Sequence, residues 1–315
     1  MLRKCFVHLT ILGLLTSTAG CGFSRVERLL VPSTAAGGDG VIILTDVDFD
    51  PESLIPETLP IADYLGKNLG KAGISSSEIN IAPDVETVAD WMSSGEVNLY
   101  FDSVYPAITV MQTSGATPIL RRWKDGVAQY STYIVTRQNS GIEQLADLNG
   151  KMITLQGPSS SSGFMFPMVY LLEAGFNPQE KSELNQSVPP DEIGYVFSGQ
   201  EEVTVAWVLE GRVVAGAIDS ETLAELSEAD RAQLNIIAET DAFPRHVVLA
   251  GPELKPEQIE VLKSVLVGMD ESKQGRKALE TFSETAQFDE FPEGGDAAIA
   301  KFNAAYQLLR NHLAQ

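Results

Sequence analysis

Lys151-Met152-Ile153-Thr154-Leu155-Gln156 leads into Gly157-Pro158-Ser159-Ser160-Ser161-Ser162-Gly163, and a helix follows over Gly163–Glu173, closed by Ala174-Gly175. The segment is a short buried strand, a polar turn and a helix start. The first turn of a helix carries N–H groups with no partner in the helix, at the positive end of its dipole. Hydroxyls clustered there add donors without adding charge, so an anion can be held without lysine. Serine and glycine are small enough to let an oxyanion approach the backbone. Such a turn is also what a flexible loop with one serine capping the helix looks like. Its position between a strand and a helix favours a ligand, because α/β sheets bind ligands at the carboxyl ends of their strands.

The same alternation extends in both directions. Strands are expected at Val41–Thr45, Ile79–Ala82, Val97–Phe101, Gln129–Val135, Met152–Leu155, Val213–Ile218, Leu234–Ala238 and His246–Ala250. Helices are expected at Leu59–Leu69, Val85–Met92, Val104–Gln112, Ile142–Leu148, Glu201–Glu210, Glu221–Leu226, Pro256–Met269 and Ala297–His312. This order implies an α/β architecture with mostly parallel sheets, and there are too many units for one small sheet. No dinucleotide or P-loop glycine pattern, HExxH or G-x-S-x-G elbow is present. His8, His246 and His312 offer no partner base for a serine nucleophile, so an enzyme is not expected.

The chain's 315 residues suggest two domains, or one large one. Lys and Arg number 22 against 43 Asp and Glu, for a net charge of −21. That surface repels phosphate backbones, so nucleic acid is not an expected partner, while a small anion held by local dipoles is still allowed. With 2 cysteines and 3 histidines, neither a cysteine zinc site nor an iron–sulfur cluster is expected, and no cofactor or metal is implied.

The N-terminus reads as a targeting segment. Arg3-Lys4, an apolar stretch from Cys5 to Leu15, and Thr16 to Gly20 form a basic region, a core and a small-residue cleavage zone. The apolar run is too short to span a bilayer. Ala19-Gly20-Cys21 resembles the lipobox of bacterial lipoproteins, which implies cleavage before Cys21 and lipidation of its sulfur; the alternative is a plain secretory signal with an incidental cysteine. Residues 21–40 have the small, turn-forming composition of a tether. The expected location is the outer face of a membrane, held there by lipid alone.

A family resemblance adds to this reading. Asp147-Leu148-Asn149-Gly150-Lys151, then Gly157-Pro158 and Ser160-Ser161-Ser162-Gly163, with Pro167, Leu171-Leu172 and Gly175 downstream, resembles the phosphate-, phosphite- and phosphonate-binding proteins of ABC transporters. Leu59-Pro60 with Tyr64-Leu65 and Leu69-Gly70, Gly95 through Phe101 with Tyr105, Tyr130-x-Thr132-x-Ile134-Val135, and Gly211 through Gly216 resemble further stretches of that family. The resemblance covers roughly residues 41–290. It implies a two-lobed, hinge-closing periplasmic-binding-protein fold of type II, with a phosphorus oxyanion held between the lobes and passed to a membrane permease. One lobe would comprise residues 41–130 plus 240–315 and the other residues 131–239. The ligand contacts it implies are Ser160, Ser161 and Ser162, with Tyr105, Tyr130 and Thr132. A capture module serving a sensor, or one for another small organic anion, is the alternative on the same fold.

Two positions depart from the family pattern. Glu201 stands where many members carry histidine, and Val214 replaces an aspartate, with Asp219 shortly after. Glu201 and Asp219 together suggest a ligand that can donate to a carboxylate, either a zwitterion or a protonated oxyanion. A first-turn glutamate that only stabilises its helix dipole is the plainer reading. Arg121-Arg122-Trp123-Lys124 is either a cleft-rim patch that steers anions or a solvated strand end. The alternating Asp46, Asp48 and Asp50 lack the glycine and glutamate of a calcium loop and read as a solvated loop.

Overall fold

The computed structural model of the chain describes residues 40–47 and 51–315. The signal segment, Cys21, the tether as far as Asp39, and Asp48 and Asp50 lie outside the described residues. The strands are β1 Val41–Val47, β2 Ser76–Ala82, β3 Leu99–Asp102, β4 Thr117–Arg122, β5 Gln129–Tyr130, β6 Thr132–Arg137, β7 Met152–Leu155, β8 Pro178–Glu180, β9 Ile193–Phe197, β10 Ala215–Asp219, β11 Leu234–Glu239, β12 Phe243–Pro244, β13 His246–Ala250 and β14 Phe288–Asp289. The α-helices are α1 Pro51–Asn68, α2 Val85–Ser94, α3 Val104–Ser114, α4 Phe166–Glu173, α5 Glu201–Leu209, α6 Ser220–Glu225, α7 Glu228–Arg231, α8 Pro256–Val267, α9 Lys273–Thr281 and α10 Gly295–Leu313.

Two six-stranded sheets form, in the orders β14-β4-β13-β3-β1-β2 and β11-β6-β10-β7-β9-β8. The first draws on residues 41–122 and 246–289, the second on residues 132–239. Ile42, Ile43 and Leu44 of β1 are all buried, as expected of a strand covered on both faces by helices. The small residues of β10 let α5 lie close: a Cβ on Gly216 would stand 2.5 Å from Thr204 Cγ2.

The sheets are mixed rather than mostly parallel. β1 runs parallel to β2 and β3, and β7 runs parallel to β9 and β10. On the other side of each sheet β13, β4 and β14, and β6 and β11, are antiparallel to their neighbours. The reason is connectivity. The chain leaves the first sheet after β4, enters the second at β6, leaves it after β11 and re-enters the first at β13. The two crossings pair with each other, Phe243 opposite Tyr130 and Pro244 opposite Gln129, as the short β5–β12 ladder.

A continuous buried cluster runs from Ile43, Tyr100 and Ile108 through Phe164 and Phe166 to Ile153 and Tyr195. α10 braces both sides of it. Asn303 accepts from Gln112 of α3 at 2.8 Å, the Tyr306 and Tyr105 rings lie 6.1 Å apart, and His312 Nε2 is 2.6 Å from the Pro178 carbonyl of β8.

Candidate functional site

The carboxyl ends of β3, β7, β9 and β10 and the second crossing surround a cavity of about 580 Å³. Ser103, Tyr130, Gln156, Ser159 to Ser162, Glu201, Asp219, Arg245 and His246 are in its wall. This is where an open α/β sheet is expected to take a ligand.

The serine turn begins as β7 ends. Ser160 Oγ accepts from Gly163 N–H at 2.9 Å and donates to Gln156 Oε1 at 2.7 Å, so this hydroxyl caps the helix. Ser161–Met165 is wound as a single π-turn that continues into α4, a form often found at functional sites. Gly163 is obligatory, because a Cβ there would stand 2.3 Å from Gln156 Cβ. Ser161 Oγ donates to Ser103 Oγ at 2.9 Å and accepts from Tyr105 N–H at 2.8 Å, joining the N-terminus of the α4 helix to that of α3. Ser162 Oγ donates to Glu201 Oε1 at 3.3 Å, and its carbonyl accepts from Thr132 Oγ1 at 2.8 Å.

Glu201, the first residue of α5, is 6% exposed and faces the cavity rather than solvent. Its Oε2 accepts from Asp219 N–H at 2.8 Å. Burial, and then the Asp219 carboxylate, push its own carboxyl up to about 7. Asp219 caps α6, accepting from Thr222 N–H at 2.8 Å. Tyr130 is buried in the same wall and has its phenol pushed up by burial.

Arg245 lies with its guanidinium carbon 5.0 Å from the centre of the Tyr130 ring. Its Nε is ion-paired with Glu221 Oε2 at 2.5 Å, and its Nη2 is 3.3 Å from Asp125 Oδ2. His246 follows it in the wall.

Of the residues marked in the sequence, Ser160, Ser161, Ser162, Tyr130, Glu201 and Asp219 come together at the cavity. Tyr105 and Thr132 do not line it. The Tyr105 ring packs against Phe164 and Tyr306, and Thr132 is fully buried behind Ser162. The basic patch is not at the rim, nor is it solvated as a strand end. Arg122 is 1% exposed, bonded to Thr285 and the Phe282 carbonyl with its guanidinium 3.6 Å over the Phe282 ring, and Arg121 is paired with Asp289. β4 runs through the interior of the first sheet, so both arginines are drawn in with it. Ser103, Gln156, Arg245 and His246 were not marked. Ser103 and Gln156 carry a signal, as the residues flanking a helix start and the serine turn. Arg245 and His246 carry none, because only the crossing brings them here.

The sequence pattern of a family described as the periplasmic substrate-binding protein of phosphonate ABC transporters matches residues 46–293. A relative from Mycolicibacterium smegmatis (strain ATCC 700084 / mc(2)155), named phosphate-import protein PhnD, is 28% identical over 255 residues, which is 75% of this chain and 77% of the relative. XAC2383 from Xanthomonas citri, solved bound to chloride ion and to ATP, matches with a TM-score of 0.78 in each case. The identities are 24% and 23%, over 86% and 87% of this chain and 99% of that one. PhnD1 from Prochlorococcus marinus, solved with methylphosphonate, gives 0.57 at 15% identity over 86% of this chain and all of that one. Identities this low establish the fold alone, that of a type II periplasmic binding protein.

Proposed function

Since this chain belongs to the periplasmic substrate-binding proteins of phosphonate ABC transporters, we propose that its cavity captures a phosphorus oxyanion between two lobes and delivers it to a membrane permease. Members of this family bind cargo for transport and are not enzymes, and their place is outside the cytoplasmic membrane. Among the described residues no helix is long and apolar enough to cross a membrane. The lobes are residues 41–130 plus 240–315, and residues 131–239, moving about the β5–β12 crossings. Cys21 carries the lipid anchor; Cys21→Ser should move the protein from the membrane to the soluble fraction.

The observation that carries this reading is the serine turn at the cavity wall, where Ser160 to Ser162 meet the N-termini of the α3 and α4 helices. Phosphoryl oxygens bind the N–H groups and hydroxyls there, without a lysine. Phosphate and methylphosphonate, the cargoes in the names of two relatives, are the smallest candidates. The acid corner narrows the choice. Ionised, Glu201 and Asp219 only accept, so they disfavour a dianion and favour a ligand bearing an ammonium or a remaining O–H.

Titration calorimetry of the mature protein with phosphate, phosphite, methylphosphonate and 2-aminoethylphosphonate tests this. The aminophosphonate should bind most tightly, and Glu201→Gln should weaken it more than it weakens phosphite. Equal losses for both would remove the acid corner from the ligand. No heat from any of the four at millimolar concentration would overturn the oxyanion reading.

A further inference from the structure

The polar groups of the cavity wall mostly satisfy one another. Ser160 is bonded to Gln156 and Gly163, Ser161 to Ser103 and Tyr105, Glu201 to Asp219 and Ser162, and Arg245 is paired with Glu221 and Asp125. His246 breaks this pattern. It lines the cavity, is 9% exposed, and its Nδ1 is buried with no hydrogen-bond partner among the described residues. A buried polar atom left unpartnered calls for an explanation, and a function that uses the atom is one.

We propose that His246 is a ligand-contacting residue of this site, which reads the captured phosphorus anion from the side of the crossing segments. The inference rests on the oxyanion reading above and adds to it a contact from the first residue of β13. His246 lies opposite Arg122 of β4 in the sheet and next to Arg245. Burial, and then the charges of Arg122, Arg245 and Lys124, hold the imidazole well below its ordinary value, so it is uncharged near neutrality. The acids in the same wall, Glu201, Glu202 and Asp219, stand on the second-sheet side. A neutral imidazole has one donor nitrogen and one acceptor nitrogen. It can give a hydrogen bond to a phosphoryl oxygen without adding charge, or take one from a protonated phosphorus hydroxyl. Either bond engages the ring with the ligand, and its position on the return crossing ties that contact to the segment about which the lobes would move.

A structural histidine and a ligand-reading one respond to substitution in opposite ways. His246→Phe removes an unpaired buried nitrogen, so the unliganded protein should melt at the same temperature as the parent or higher, while affinity for the tightest of phosphate, methylphosphonate and 2-aminoethylphosphonate falls about tenfold or more. His246→Gln, which restores a donor and an acceptor, should bind within about threefold of the parent. In the parent labelled with 15N-histidine, saturation with that probe should shift a ring-nitrogen resonance of His246. Unchanged affinity in His246→Phe while the parent binds would overturn the inference and leave the oxyanion reading standing. Should His246→Phe fail to fold, an unmoved ring-nitrogen resonance at saturation overturns it instead. A parent that binds none of the three probes overturns both.

Discussion

The two sides of the cavity handle charge differently. On the first-sheet side much of it is closed off inside the protein, behind the Ser103, Arg245 and His246 of the wall. Arg122 lies in the interior near Asp46 and Asp102, Asp102 is bonded to Tyr100, and Arg121 is paired with Asp289. On the second-sheet side the polar groups stand in the cavity wall, with Ser160 to Ser162, Glu201 and Asp219 all on its surface. Buried pairs serve the fold, while on the proposed reading the groups of the wall, His246 among them, are available to a ligand. Substitutions should therefore separate stability from affinity according to whether they fall on a buried pair or in the cavity wall.

The largest effect expected is Arg122→Met. It removes the buried bonds to Thr285 and the Phe282 carbonyl and the positive charge that offsets Asp46, Asp125 and Asp102, so it should cost about 3–5 kcal/mol of stability by urea titration. Affinity measured where the variant is still folded should hardly change. A comparable loss of affinity would show that the buried Arg122 cluster is not insulated from the ligand.

Glu201 sharpens the contrast through pH. Its folded value of about 7 lies above its ordinary 4.5, so the folded state holds that proton more tightly than the unfolded chain does. The resulting stabilisation is complete below pH 4.5 and is lost as pH rises through about 7, an effect on the order of 2–3 kcal/mol. In denaturant titrations from pH 5 to pH 8 the stability of the parent relative to Glu201→Gln should decline by that amount, the neutral His246 acting equally on both. Equal slopes would mean that the carboxyl is ionised throughout.

Ser162→Ala tests the ligand side directly. Losing one hydrogen bond to a charged ligand costs about 1.5–3 kcal/mol, roughly ten- to hundredfold in affinity by calorimetry. Its melting temperature should fall modestly, because the buried Glu201 carboxyl loses the bond from the Ser162 hydroxyl. The smallest effect is expected away from both sides: Asp84→Ala, which removes the cap on Thr87 N–H of α2, should cost about 1 kcal/mol of stability and no affinity.

What the sequence showed and what it hid follow the same division. The serine turn was legible because strand, turn and helix start are contiguous, and local chemistry dictates them. Glu201 was legible as a departure from a family pattern, although the sequence left open whether it faced water or the cavity. Arg121 and Arg122 were misread, because nothing local tells that β4 is an interior strand whose arginines meet Asp289 and Phe282 more than 150 residues onward. Ser160 shows the limit from the other direction: its hydroxyl is spent on the helix cap, which the sequence had offered as the plain alternative to ligand binding. Arg245 and His246 stayed hidden because their place depends on the second crossing, a tertiary event with no periodicity to read. The mixed sheets have the same origin, since strand direction beyond the βα units is set by where the chain crosses.

On the proposed reading, the bond from Tyr105 N–H to Ser161 Oγ, with its companion to Ser103, makes anion capture an exchange reaction. A phosphoryl oxygen that takes the α3 amide displaces a neutral hydroxyl, so one hydrogen bond is swapped for another. For an uncharged competitor, such as a sugar or a neutral ester, the swap comes out nearly even and little affinity results. For an anion it replaces a neutral bond with a charge-assisted one, roughly twice as strong. The serine would then act as a built-in reference ligand against which each visitor is compared, and the site would screen for charge before any lysine is involved.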